Sequence, residues 1–308
     1  MAGSLAGSPT WLPCAAAAHG TRTRQPRRGA LYVVSTPIGN LDDMTVRALD
    51  TLKSVGLVAA EDTRRTGRLL RHFGIATPTT SLHEHNETEK LPALLRKLSD
   101  GVDIALVSDA GTPLVADPGR RLVAGAIELG IRVIPIPGPS AVLAALAGSG
   151  YPADEFVFAG FAPSRSKDRK MWLERLAQES RTVVFFETPH RIEKTLSDMA
   201  EILGDRPMMV ARELTKLHEE LVRTTARQAT DCRIPEKGEF TIVLAPYSKP
   251  AATAGTVDDA ELSAYFDRMT DSSSLSRRDA VVATADKFGL SPNVVYARLE
   301  RLKTSRPS

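Results

Sequence analysis

Residues 103–119, DIALVSDAGTPLVADPG, decide the fold. Ile104-Ala105-Leu106-Val107 is a short apolar run that reads as a buried strand, and it stops at Ser108-Asp109. Small residues follow, and Asp117-Pro118-Gly119 then carries the signature of a helix start, a cap and a first-turn proline. Strand, small-residue loop and helix make half of a βαβ unit, and open α/β sheets hold their ligands at such loops. The loop is neither GxGxxG nor GxxxxGK[ST], so dinucleotide and nucleoside-triphosphate chemistry lose their usual sequence support.

The same texture extends outward. LYVVS (31–35), GLVAA (56–60) and RVIPI (132–136) read as further buried strands, and Thr45–Val55, Glu87–Leu98 and Gly119–Leu129 have helical spacing. They predict an N-terminal α/β domain over residues 29–147 with a mostly parallel sheet. A second set, EFVFAGF (155–161), RTVVFFE (181–187), PMMVARE (207–213) and GEFTIVLA (238–245), predicts a second α/β domain over 148–247, also mostly parallel. Gly148–Pro152 has the turn chemistry of a connection between the halves. Residues 248–257 read as a linker, and 258–308 as a small helical module in which Ser291-Pro292 resembles a helix start. Residues 1–28, rich in Ala, Gly, Ser and Arg and free of acids, read as a disordered extension.

Composition removes several classes. Hydrophobic residues make up 42% and charged residues 25%, an ordinary globular balance, and no apolar run approaches the roughly 20 residues of a membrane helix, so no membrane partner is expected. Cys14 and Cys232 are far apart without CxxC spacing, which supports neither a disulfide framework nor a zinc site; a reducing, cytoplasmic setting is expected. The net charge of +3 conceals a division. Residues 1–30 hold Arg22, Arg24, Arg27 and Arg28 with no acid, residues 268–308 hold eight basic against four acidic, and the body between them carries −5. An acidic body with basic ends suits a polyanion touched at the periphery, and equally suits scattered solubilising charge.

Four loops after strand ends carry the candidate chemistry. Ser35–Asp43 (STPIGNLDD) leads from the first strand toward a helix whose N-terminus can hold an anion, although any tight βα turn uses similar residues. Glu61-Asp62-Thr63-Arg64-Arg65-Thr66 is denser in charge than a cap requires. His83-Glu84-His85-Asn86-Glu87 lacks a third ligand at recognisable spacing, so polar contact or capping outranks metal and no metal is expected. Pro135–Ala141 is a proline-stiffened turn into a small-residue helix.

At these loops the chain resembles the tetrapyrrole methylase superfamily, and within it the branch that modifies small-subunit ribosomal RNA. The blocks that carry the resemblance are TPIGNLDD (36–43), AAEDTRRT (59–66), HEHNE (83–87), SDAGTPLVADPG (108–119), PGPSA (137–141), ETPHR (187–191) and ARELTKLHEE (211–220), within a match spanning most of residues 31–303. The resemblance implies a two-domain α/β methyltransferase with a C-terminal helical module, acting as a homodimer with S-adenosylmethionine as cofactor. The implied substrate is 16S ribosomal RNA of the small ribosomal subunit, methylated at a cytidine ribose 2′-oxygen in the decoding region. Carried over, Asp109, Ala110, Gly111, Thr112, Pro113, Ser140 and Ala141 are the implied cofactor contacts. Thr36, Asn40, Arg64, His190, Arg191 and Lys216 are the implied substrate contacts, with Glu187, Arg212 and Glu213 nearby. A ribose hydroxyl needs a proton acceptor, and Glu61, Asp62, His83 and Glu213 stay open as candidates. The N-terminal extension is not required by the family pattern.

Overall fold

The structure is a computed structural model and describes residues 28–304 apart from 233–234, 236, 248–257, 272–275, 289 and 291. The expected extension up to residue 27, the expected linker and Ser291 therefore lie outside the described residues. The chain forms two compact units. One comprises the described residues up to Thr36 with Met44–Gly138; the other comprises Pro37–Asp43 and the described residues from Pro139 onward.

The first unit contains strands β1 (Ala30–Val34), β2 (Leu57–Ala60), β3 (Thr79–Ser81), β4 (Ile104–Val107) and β5 (Arg132–Ile136), with helices α1 (Val46–Ser54), α2 (Thr63–His72), α3 (Glu87–Ser99) and α4 (Arg120–Glu128). All strand pairs are parallel, in the order β3-β2-β4-β1-β5. Period-two alternation divides β4: Ile104 and Leu106 pack with Leu94 and Leu98 of α3 and Leu122 and Ala126 of α4, whereas Ala105 and Val107 pack with Ala48 and Leu52 of α1 and Leu70 of α2. Right-handed crossovers explain the two faces. α1 and α2 step the chain toward the β3 edge, α3 and α4 step it back toward β5, and so each pair covers one side. The chain leaves neighbouring β1 and β4 in opposite directions, which opens the sheet at their C-terminal ends.

One expectation about α4 fails. Its N-cap is Gly119 at φ 110° rather than Asp117, because a Cβ there would stand 2.6 Å from Leu106 Cδ2 and only glycine lets the helix start so close to β4. Asp117 is thereby left for another role.

The second unit contains α5 (Ala141–Ser149), β6 (Phe156–Phe161), α6 (Ser166–Ala177), β7 (Thr182–Glu187), α7 (Ile192–Leu203), β8 (Pro207–Arg212), β9 (Glu220–Thr225) and β10 (Phe240–Leu244). The strand order is β6-β7-β10-β8-β9. Here the expectation of a mostly parallel sheet is corrected: β6 and β7 run parallel, but β7–β10, β10–β8 and β8–β9 are antiparallel. For β8 and β9 the reason is chain length, since the 213–219 connection between them is shorter than the dozen or so residues a parallel crossover takes. Val183, Phe185, Met208, Val210, Phe240, Ile242 and Leu244 point to one core with Leu173, Leu176, Ile192, Leu196 and Met199 of α6 and α7. α5, expected to close the first domain, packs on β7, β9 and β10. The Gly148–Pro152 turn accordingly follows a helix of this unit, with Gly150 at φ 77° as its C-cap.

Helices α8 (Asp259–Asp271), α9 (Arg277–Phe288) and α10 (Pro292–Thr304) pack on one another around Leu262, Phe266, Ala280, Ala285, Val295 and Leu299. Among the described residues no helix is long and apolar enough to cross a membrane.

Candidate functional site

The opening at the ends of β1 and β4 is held by backbone. Thr36 and Gly111 each donate an N–H to the other's carbonyl at 2.9 Å, forming an isolated antiparallel bridge. Thr36 Oγ1 also donates to Ser108 O at 3.3 Å, and Ser35 Oγ lies 3.0 Å from Thr112 Oγ1. Gly111 sits at φ 79°, and Leu114 and Ala116 at φ 76° and 64°, so this loop carries two side chains in the left-handed region. Such strain persists where the surroundings impose it and concentrates at binding sites. A Cβ on Gly138 would approach Ser35 Cβ to 2.9 Å, so the loop after β5 passes close to the end of β1. Small residues and bare backbone thus converge at this end of the sheet.

Beside this loop lies a group of carboxyls. Asp109 accepts from the Asp62 N–H at 3.0 Å through Oδ1 and pairs with Arg65 at 3.2 Å through Oδ2, while its own N–H points to Glu61 Oε2 at 3.3 Å. The β2 and β4 loops are tied reciprocally, and the Asp109 carboxylate is spent on the tie. Burial pushes the Glu61 carboxyl above its ordinary range, the Asp109 N–H opposes it, and the Asp109 charge reinforces it. Asp117 is pushed up to about 6 by burial, eased by a hydrogen bond from Ser108 and reinforced by the charges of Glu61 and Asp109. Asp62, in contrast, caps α2 through the Arg64 N–H at 2.8 Å, and the Arg64 side chain holds it below its ordinary range.

The HEHNE segment divides by role. Glu87 is buried and accepts from the Arg121 N–H at 2.9 Å, capping α4, whose own N-cap glycine offers no side chain. Asn86 accepts from the His83 N–H and donates toward Ser81. His83 lies within electrostatic reach of Glu61. Asp117, Arg65, Asn86 and Glu87 lie in loops that the sequence singles out, but only the fold shows what each of them touches.

In the second unit the 37–43 loop packs on the turn after β8. A Cβ on Gly39 would stand 2.4 Å from Lys216 Cγ, 2.8 Å from Thr215 Oγ1 and 2.9 Å from Leu214 O. Asn40 Oδ1 accepts from the Asp42 N–H and shapes this loop. Glu213 and Thr215 have φ of 51° and 66°. Lys216 Nζ bridges Glu213 at 2.8 Å and Glu239 at 3.1 Å, and this ammonium holds Glu213 below its ordinary range. Arg212 pairs with Glu220. Glu187 is buried and accepts from the Thr188 N–H at 2.6 Å, from Thr195 Oγ1 at 2.6 Å and from Arg191 at 2.8 Å, fixing the start of α7 next to His190. Ser140 caps α5 and Ala141 begins it.

These loops can be set against known proteins. The tetrapyrrole (corrin/porphyrin) methylases match residues 30–230. The chain belongs to this family. It is a methyltransferase, and its methyl donor is S-adenosylmethionine. It is 50% identical to the ribosomal RNA small subunit methyltransferase I of Synechocystis over 75% of this chain and 85% of that one. The protein of the same name from Mesorhizobium japonicum is 44% identical over 91% of this chain and 94% of its own. Among solved structures, uroporphyrin-III C-methyltransferase from Thermus thermophilus complexed with S-adenyl homocysteine aligns with a TM-score of 0.50 at 19% identity, over 70% of this chain and 97% of that one. The residues fit the donor. Bare backbone converges at Thr36, Gly111 and Gly138, where Gly138 packs closely on Ser35, and the Asp117 carboxyl stands beside this cradle, which suits a ligand bearing a sulfonium and an ammonium.

Proposed function

We propose that the chain transfers the methyl group of S-adenosylmethionine to the 2′-oxygen of a cytidine ribose in the decoding region of 16S ribosomal RNA, acting as a cytoplasmic homodimer on the small ribosomal subunit. The observation that carries this reading is the match to a ribosomal RNA small subunit methyltransferase I across nine-tenths of the chain. In the same reading, the backbone of Asp109–Pro113 with Ser140 and Ala141 holds the cofactor. Thr36, Asn40, Arg64, His190, Arg191 and Lys216 hold the RNA.

S-adenosylmethionine, when bound, supplies an electrophilic methyl group on a sulfonium. The protein's own task is then to align the acceptor oxygen, exclude water and take one proton. Glu61 is the proton acceptor in this reading. Of the acidic candidates it alone has its carboxyl held up by burial, whereas Asp62 is engaged by Arg64 and Glu213 by Lys216. The 2′-oxygen gains the methyl carbon as its O–H bond breaks, the proton goes to Glu61, and S-adenosylhomocysteine leaves. Asp109, tied to Arg65 and Asp62, positions Glu61.

The test is incubation with methyl-labelled S-adenosylmethionine and small subunits that lack their own modifications, followed by mapping of the labelled nucleotide. Label on a decoding-region ribose is expected. Label on a base, or none while the cofactor is bound, overturns the reading.

A further inference from the structure

Asn86 fixes the state of the His83 ring. Its Oδ1 accepts the His83 backbone N–H at 2.9 Å, which turns the amide nitrogen toward Ser81 Oγ at 3.1 Å and His83 Nε2 at 3.0 Å. An amide nitrogen only donates, so Nε2 supplies the lone pair and the ring proton sits on Nδ1. The Nε2 lone pair is then engaged by the Asn86 amide, and the ring offers its surroundings an N–H donor. Nδ1 is nonetheless buried and has no hydrogen-bond partner among the described residues. An unmet buried donor is destabilising and persists where a bound group meets it.

The position of His83 says which group. It follows β3, the edge strand, two strands from β4. At about 4.8 Å per strand it stands roughly 10 Å along the sheet from the Asp109–Pro113 loop. Glu61, at the end of the intervening β2, is the nearer functional group. We propose that His83 Nδ1–H donates a hydrogen bond to an uncharged oxygen of the methyl acceptor, a ribose hydroxyl or a base carbonyl, beside Glu61. The proposal rests on the RNA reading above for its substrate, and makes His83 a binding group of fixed polarity.

Two measurements test it. In ¹⁵N spectra of the cofactor-free full-length protein, His83 is expected to be protonated at Nδ1 and unprotonated at Nε2. The opposite tautomer overturns the proposal whatever the substrate. In methyl transfer to unmodified small subunits, His83→Asn keeps an N–H near the Nδ1 position, His83→Gln moves it toward Nε2, and His83→Ala removes it. His83→Ala and His83→Gln are expected to lower kcat/KM for the acceptor about 5- to 10-fold, and His83→Asn to recover it within about 2-fold. The KM for S-adenosylmethionine stays unchanged in all three. An intact His83→Ala, a His83→Gln that outperforms His83→Asn, or a parallel rise in the cofactor KM overturns the assignment. Absence of transfer by the unsubstituted protein sinks the RNA reading instead, and the tautomer still decides the state of the ring.

Discussion

Glu61 and Asp117 are carboxyls that burial holds above their ordinary range within one cluster, yet they predict different experiments. For Glu61 the consequence is kinetic. Glu61→Gln removes the proton acceptor, so kcat is expected to fall by about 10²–10⁴-fold with cofactor affinity retained, measured by single-turnover kinetics and calorimetry. The parent rate should rise with pH as Glu61 ionises, a limb absent from the variant. For Asp117 the consequence is stability. Its folded carboxyl is raised from 3.8 to about 6, so folding favours the protonated form; that contribution is complete below about pH 3.8 and is lost as pH rises through about 6. Asp117→Asn should therefore stabilise the protein at pH 8 by roughly 1 kcal/mol once solvent screening is allowed for, and leave it unchanged near pH 3.5. Equal thermal shifts at both pH values would exclude that cause. Gly39 adds a steric case: Gly39→Ala forces a Cβ within 2.9 Å of the Leu214 carbonyl and should cost about 1–3 kcal/mol in urea denaturation. The sequence displayed the loops that hold these residues but not their partners. Asp109 stood in a loop of evident interest, while its tie to Asp62 and Arg65 exists only because β2 and β4 are neighbours.

Capping shows how far an element can be read locally. Thr45 caps α1 from three residues away, a relation legible in sequence. Glu87 caps α4 from the start of α3, and no local rule finds it. Glu87→Ala should cost about 1–3 kcal/mol, more than Thr45→Ala at about 1 kcal/mol, because the Glu87 side chain is buried and its removal also leaves a void; equal losses in denaturant would deny that difference. Strands sort the same way. β4, β7 and β10, apolar and central, announced themselves. β3 (TTS) and β9 (ELVRTT) did not, since an edge strand needs only part of one face apolar and its residues here are short or polar. Missing β9 also concealed the antiparallel half of the second sheet, because the short 213–219 connection has no meaning until both strands it joins are recognised.

At the scale of the whole molecule, ligand linkage gives the broadest check. S-adenosylmethionine at 100 times its dissociation constant should stabilise the folded chain by about 2.7 kcal/mol, read as a concentration-dependent rise in Tm; a Tm indifferent to the cofactor would contradict the fit of the backbone cradle. Two α/β units and a helical tail were legible from alternating patterns. The allocation of α5 was not, because an apolar small-residue helix suits either sheet. The order of synthesis adds a consequence of the β6-β7-β10-β8-β9 arrangement. The first sheet is complete once Ile136 leaves the ribosome, but the second is two separate strand pairs until Phe240–Leu244 arrives between them. At roughly 5–20 residues per second the inner edges of β7 and β8 then stay open for a few seconds, long enough for a chaperone to matter. A nascent chain that stalls before Phe240 bears two unsatisfied apolar edges, which makes it a species for degradation or aggregation.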